Sequence, residues 1–118
     1  MSQGVSIPPQ LQEQLLRLQQ LQQTLQVVVT QRQQLELEGS EIERALTELG
    51  KIDDDDPVFK SIGALLVKSE RKTLIDELQE RRELVNTRVT VLTRQQSRAE
   101  AKVKELQQSI QSKLRTSP

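Results

Sequence analysis

Apolar residues recur at alternating steps of three and four along two long stretches of this 118-residue chain, and the pattern breaks between them. In the first stretch, about residues 10–49, the a positions of a heptad register are Leu11, Leu18, Leu25, Arg32, Gly39 and Leu46. The d positions are Gln14, Leu21, Val28, Leu35, Ile42 and Leu49. In the second, about 69–114, the a positions are Ile75, Arg82, Val89, Gln96, Val103 and Ile110, and the d positions are Leu78, Val85, Leu92, Ala99, Leu106 and Lys113. Nine of the twelve seam positions are apolar in each stretch. That regularity predicts two helices packed along a coiled-coil seam. Gly39 in the seam weakens the helix by about 1 kcal/mol relative to Ala. It either lets the partner helix approach or marks a bend.

The break, residues 50–68, has a different period. Gly50 ends the first helix. Asp53, Asp54, Asp55 and Asp56 follow, then Pro57, which opens a strand but is excluded from a central one. Residues 58–62 and 65–68 are short, apolar and β-branched, and Gly63-Ala64 between them suits a type II′ turn with Gly first. The expectation is a β-hairpin, with Ser69 capping the second helix. One face carries Val58, Ile62, Leu65 and Val67, and the other carries Phe59 and Leu66. A lone hairpin is marginal in water, and its edges leave backbone groups unpaired. Either hairpins from several chains join into a shared sheet or barrel, or the segment is a tight apolar link.

Two helices of near-equal length about a short connection imply an antiparallel pair. Paired numbers that sum to 124 set Leu49 against Ile75, Leu35 against Val89, Leu18 against Leu106 and Leu11 against Lys113. A shift of one heptad satisfies the pattern equally. This fold-back brings the two termini together, away from the hairpin. At that end Leu15 and Leu16 lie outside the seam beside Leu11 and Leu18, Leu114 lies outside it beside Ile110, and Ile7 precedes the helix. Those seven residues are the candidate contact surface for another protein. Alternatively they close the fraying end of the bundle. Ser6 is a candidate cap for the first helix, with Pro8 or Pro9 in its first turn.

Composition narrows the function. Only 34% of the chain is hydrophobic and Phe59 is the only aromatic, which suits a seam better than a compact core. The chain has 17 basic and 17 acidic residues, which argues against a bulk-charge nucleic-acid binder. Arg81-Arg82 and residues 102–104 read as solvated faces without an aromatic stacking platform. The first 68 residues carry 6 basic and 10 acidic groups and the remainder 11 and 7, a bias that favours pairing of the two stretches. With no Cys and no His, thiol chemistry, disulfides and the commonest acid–base and metal ligand are missing. The acidic run lacks the alternating spacing of a calcium loop and reads as a solvated, turn-favouring linker. Gln fills 12 of the first 34 positions, and the Leu heptads that persist through it favour a solvated helix surface over an aggregation tract. No run approaches a membrane span, and the first ten residues lack the basic start and apolar core of a signal peptide. A cytoplasmic protein without catalytic site, metal or cofactor is expected.

The chain resembles the β-class subunits of the prefoldin family over nearly its whole length. The specific stretch is Phe59-Lys60-Ser61-Ile62-Gly63-Ala64-Leu65-Leu66-Val67-Lys68, an apolar strand, Gly, then Leu-x-Val-Lys. Ala45-Leu46-Thr47-Glu48-Leu49 before the acidic run, Pro8-Pro9-Gln10-Leu11-Gln12, Gln19-Gln20-Leu21-Gln22-Gln23 and Lys102-Val103-Lys104-Glu105-Leu106 are in character. Ile62 stands where Val is more usual, and Gly39 is less expected. The resemblance implies one domain over residues 1–118, all-α dominated, its two-helix coiled coil joined by a hairpin that assembles into an intersubunit β-barrel. It implies a hexamer of two α-class and four β-class subunits. It further implies an ATP-independent chaperone that binds non-native proteins at the coiled-coil tips and delivers them to a group II chaperonin. The tip residues would be Ile7, Leu11, Leu15, Leu16, Leu18, Ile110 and Leu114. The assembly hairpin would use Val58, Phe59, Ile62, Gly63, Leu65, Leu66 and Val67. The competing reading from the residues is a structural coiled-coil adaptor for folded partners.

Overall fold

The computed structural model describes residues 7–116, with the side chain of Thr116 left aside. The Ser6 cap lies outside them. Helix α1 spans Pro9–Leu49, strands β1 and β2 span Val58–Ile62 and Leu65–Ser69, and helix α2 spans Arg71–Thr116. The first α1 hydrogen bond runs from Gln12 N–H to the Pro8 carbonyl at 3.0 Å. Pro8 is therefore the N-cap and Pro9 the first helical residue, where its missing N–H leaves nothing unmade. Gly50 follows the last α1 residue but does not take a left-handed conformation, since Gly63 is the only positive-φ glycine among the described residues. The helix closes instead through Gly50 N–H to Leu46 O at 3.0 Å and Lys51 N–H to Glu48 O at 3.1 Å.

The expected cap at Ser69 is corrected. Ser69 is the last β2 residue and pairs with Val58, and Leu74 N–H bonds Glu70 O at 3.0 Å, so Glu70 is the N-cap of α2. The ladder extends one residue further than the apolar pattern, because pairing Val58 with Ser69 completes the strand opposite a buried valine.

The chain packs as two compact units. One holds Arg32–Val91 and the other holds Met1–Gln31 with Leu92–Pro118. In the first, the hairpin unit, the core is Ile42, Leu49, Val58 and Val85, with Val85 only 1% exposed. In the second, the terminal unit, it is Leu11, Val28, Ala99 and Ile110. All twenty-four heptad positions in the two helices are buried or half-buried. The seam is where the period puts it.

The register is settled within each unit. A Cβ on Gly39 would lie 3.6 Å from Val85 Cγ1, a pair whose numbers sum to 124. In the terminal unit Gln14 Nε2 donates to Ser109 Oγ at 3.2 Å, one residue from its seam partner Ile110. A one-heptad shift would part both pairs. Glu38 and Arg81 sit at g positions and make a two-pronged ion pair, with Arg81 Nη2 donating to Glu38 Oε1 at 2.9 Å and Arg81 Nε to Oε2 at 2.5 Å. Arg82 reaches Glu43 at 3.2 Å. Charged pairs at flanking g positions, such as Glu38 with Arg81, set partner orientation.

α1 is unbroken at Gly39, and the space beside it accepts a methyl group at ordinary van der Waals distance. Gly39→Ala should therefore stabilise the chain by about 1 kcal/mol, read as a higher urea midpoint. A lowered midpoint would show that the seam needs the closer approach glycine allows.

The Glu38 carboxyl is held below its ordinary value of 4.5 by the Arg81 hydrogen bond first, then by the charges of Arg81 and Arg88, against a partial opposing effect of burial. A carboxylate favoured in the folded state stabilises it fully above its unfolded pKa, and the contribution fades as pH falls through the lower folded value. The stability gap between wild type and Glu38→Gln should thus be widest above pH 4.5 and close on acidification below it. A gap that stays constant down to the acid transition would remove this pair from the pH dependence.

Candidate functional site

Three features beside the seam stand out, each built by a different local rule. The first is the hairpin. Five antiparallel pairs run from Val58 with Ser69 to Ile62 with Leu65. Gly63 has φ of 58° and no other residue in the turn has positive φ, which is the type II′ arrangement with Gly first. An added Cβ there would meet open space, so the requirement for glycine is conformational. Alternation puts Val58, Ile62, Leu65 and Val67 on one face and Phe59 and Leu66 on the other. Val58 is buried, whereas Phe59, Ile62, Leu65, Leu66 and Val67 are exposed, Leu66 by 73%. Two strands make the whole sheet, so each strand is also an edge.

The hairpin is fastened at its base. Arg71 Nε donates to the Leu49 carbonyl at 2.8 Å, placing a cation on the C-terminus of α1, and Arg71 Nη1 pairs with Asp54 at 2.8 Å. Lys72 approaches the same carboxylate at 3.7 Å. Asp53 N–H donates to Asp56 Oδ2 at 2.7 Å, and Asp56 N–H to the Asp53 carbonyl at 3.1 Å, closing a turn. Lys60 of β1 meets Glu77 of α2 at 2.8 Å. The acidic run is exposed, as read, but Asp54 is also a fastening point. Sequence alone carried no signal for Arg71, because its partners lie 17 and 22 residues away.

The second group is the apolar fringe of the terminal unit. Ile7, Leu15, Leu16 and Leu114 are exposed, Leu16 by 56% and Leu114 by 58%. Leu11 and Ile110 are buried at 5% and 6%, and Leu18 is half-buried, so these three belong to the seam beneath. Leu15 and Leu114 occupy e positions in one layer of the register. Gln14 interrupts this seam, since its Oε1 is buried without a hydrogen-bond partner.

The third group is a groove on the opposite flank, with a volume of about 360 Å3. Leu21, Leu106 and Ser109 form its inner part, and Arg17, Lys102 and Glu105 its exposed rim. Arg17 and Lys102 are g residues whose numbers sum to 119, as do those of Glu38 and Arg81. The layer that holds an ion pair in the hairpin unit therefore holds two cations here. Arg81 and Arg82 are engaged in ion pairs, whereas Arg17 and Lys102 form none among the described residues. Sequence reading treated Arg81, Arg82 and Lys102 as solvated faces and did not single out Arg17. The g-to-g rule of antiparallel coils would have separated them once the register was known.

Among the described residues, no group of three or more acidic, Cys or His side chains is placed to hold a metal, and no helix is long and apolar enough to cross a membrane.

The chain matches the family model described as "Prefoldin subunit" over residues 12–117. It is 44% identical to the prefoldin subunit beta of Archaeoglobus fulgidus, covering 92% of this chain and 93% of that one. The prefoldin subunit beta of Thermoplasma volcanium is 47% identical over 89% of this chain and 86% of its own. The crystal structure of the prefoldin beta subunit from Thermococcus strain KS-1 superposes with a TM-score of 0.81 at 41% identity, covering 95% of this chain and 98% of that one. A matching fold, with a matching sequence over almost the full length, assigns the chain to the prefoldin family of chaperone subunits.

Proposed function

We propose that this chain works as the β-type component of a hexamer of two α-class and four β-class subunits, with residues 1–118 acting as one domain. It binds non-native proteins without ATP and passes them to a group II chaperonin in the cytoplasm, and it performs no enzymatic reaction. The observation that carries this reading is the group of exposed apolar side chains near the helix ends of the terminal unit, Ile7, Leu15, Leu16 and Leu114; Val27, also exposed in that unit, lies farther along α1. Leu11, Leu18 and Ile110 support them from the seam.

Fully burying a leucine is worth about 1.5–3 kcal/mol, so a few partly covered residues bind a client weakly. Several terminal units on one body raise the effective concentration and convert weak contacts into useful retention. The same surface releases readily, because no single contact is deep. The hairpin supplies the body. Its exposed apolar residues lie on both faces and both strands have open edges, which suits pairing with further hairpins into a barrel.

Changing Leu15, Leu16 and Leu114 together to Ser should leave assembly intact and lower the potency of aggregation suppression at least about tenfold, measured by light scattering of a diluted denatured enzyme. Undiminished suppression by a fully assembled variant would overturn the assignment of these residues. Val67→Asp should retain helical circular dichroism, since the new carboxylate faces Lys60 across the ladder, and should lose the high-mass complex with an α-class partner. A monodisperse hexamer of that variant by native mass spectrometry would overturn the role of the hairpin.

A further inference from the structure

The neutral net charge of the chain conceals a division. Met1–Gln31 with Leu92–Pro118 carry seven basic and three acidic residues, a net charge of +4. Arg32–Val91 carries ten basic and fourteen acidic residues, a net charge of −4. In the hairpin unit the opposite charges are largely spent on each other, through Glu38 with Arg81, Glu43 with Arg82, Asp54 with Arg71 and Glu77 with Lys60. In the terminal unit two cations at one groove stand apart from that pattern. Arg17 and Lys102 stand on either side of the Leu21–Leu106 groove, and among the described residues neither has an ionic partner. Glu105 lies on the same rim and forms no ion pair with either.

We propose that this groove gives the terminal unit a charge preference: it takes an acidic side chain adjoining an apolar one, from an extended segment of a non-native protein. The inference rests on the client-binding reading above and names the class of client. Three observations converge on it. The two cations occupy the one layer whose counterpart in the hairpin unit is a two-pronged ion pair, so a carboxylate between them supplies the missing charge. The half-buried Leu21 and Leu106 between them offer apolar contact to the neighbouring side chain. A volume of about 360 Å3 admits one or two side chains of a peptide. The exposed leucines Leu15 and Leu114 lie on the other flank of the same seam. A client chain that crosses the unit therefore meets an apolar flank and a cationic one. Exposed charges steer and select more than they hold, and salt weakens them.

The test uses the complex assembled with its α-class partner and three labelled, unstructured peptides of equal Leu and Val content. Their remaining residues are acidic, neutral or basic. Fluorescence anisotropy at low salt should show the acidic peptide binding about fivefold more tightly than the neutral one, the effect of two exposed ion pairs. The preference should shrink at 0.5 M salt. Arg17→Gln with Lys102→Gln should bring the ratio of acidic to neutral affinity to about one. Arg17→Glu with Lys102→Glu should shift the preference to the basic peptide. Circular dichroism and native mass on both variants establish that assembly persists. Equal binding of acidic and neutral peptides by the wild type would overturn the charge preference while leaving the client-binding reading in place. Failure to bind any of the peptides would overturn both. A preference that survives the Gln variant would take it away from this groove. Tighter binding of a folded acidic protein than of its unfolded form would assign the groove to a folded partner instead, against the proposal.

Discussion

A seam between two helices has one apolar stripe and no interior behind it, and that constraint governs the molecule. Every side chain is either in the stripe, beside it or outside it. The heptad positions of α1 and α2 are all at least half-buried, yet only eight hydrophobic residues among those described are buried, and of these Val85 alone is fully so. Stability is therefore collected layer by layer from partial burial, with flanking ion pairs such as Glu38 with Arg81 holding the layers in register. Most apolar residues placed off the stripe stay exposed within their own unit. Ile7, Leu15, Leu16 and Leu114 are in that position, and so are most of the hairpin's apolar residues.

The hairpin and the terminal unit answer that constraint differently. The hairpin has backbone edges as well as apolar faces, so what it lacks is more sheet, and further chains of the same kind are its natural complement. Its base is held by groups that make it a defined object before it meets any partner: Arg71 on the Leu49 carbonyl, Asp54 on Arg71, and Lys60 on Glu77. The terminal unit offers only side chains, apolar on one flank and cationic on the other, with a polar Gln14 in its seam. Side chains without a backbone template suit partners of no fixed structure, the requirement for a chaperone subunit that handles many sequences.

Much of this was legible in the residues. The period of three and four located both helices, and the period-two runs around Gly63 located the hairpin and its turn type. Paired numbers summing to 124 are realised at Gly39 with Val85. The exposed leucines were found because they fall at e and f positions of a register that was already clear. Other features were not legible, each for a physical reason. Ser69 reads as a cap by residue type, but a ladder pair with Val58 outweighs that preference. Gly50 reads as the end of the helix and is, but the way the end is closed, by tight backbone bonds and the Arg71 side chain, was not legible.

Periodicity and residue type were enough to specify what is local or repeating: two long helices, a glycine-first turn, a stripe and its leftovers, and through a ten-residue hairpin motif the family. These follow from rules that operate over three, four or seven residues. The pairing of Arg71 with Asp54 and Leu49, the burial of Gln14 against Ser109, and the approach of Arg17 and Lys102 across one groove join residues 17 to 95 positions apart. No local rule ranks one such distant pairing above another. Only the packed seam, by fixing which layers meet, distinguishes a spent charge from an available one.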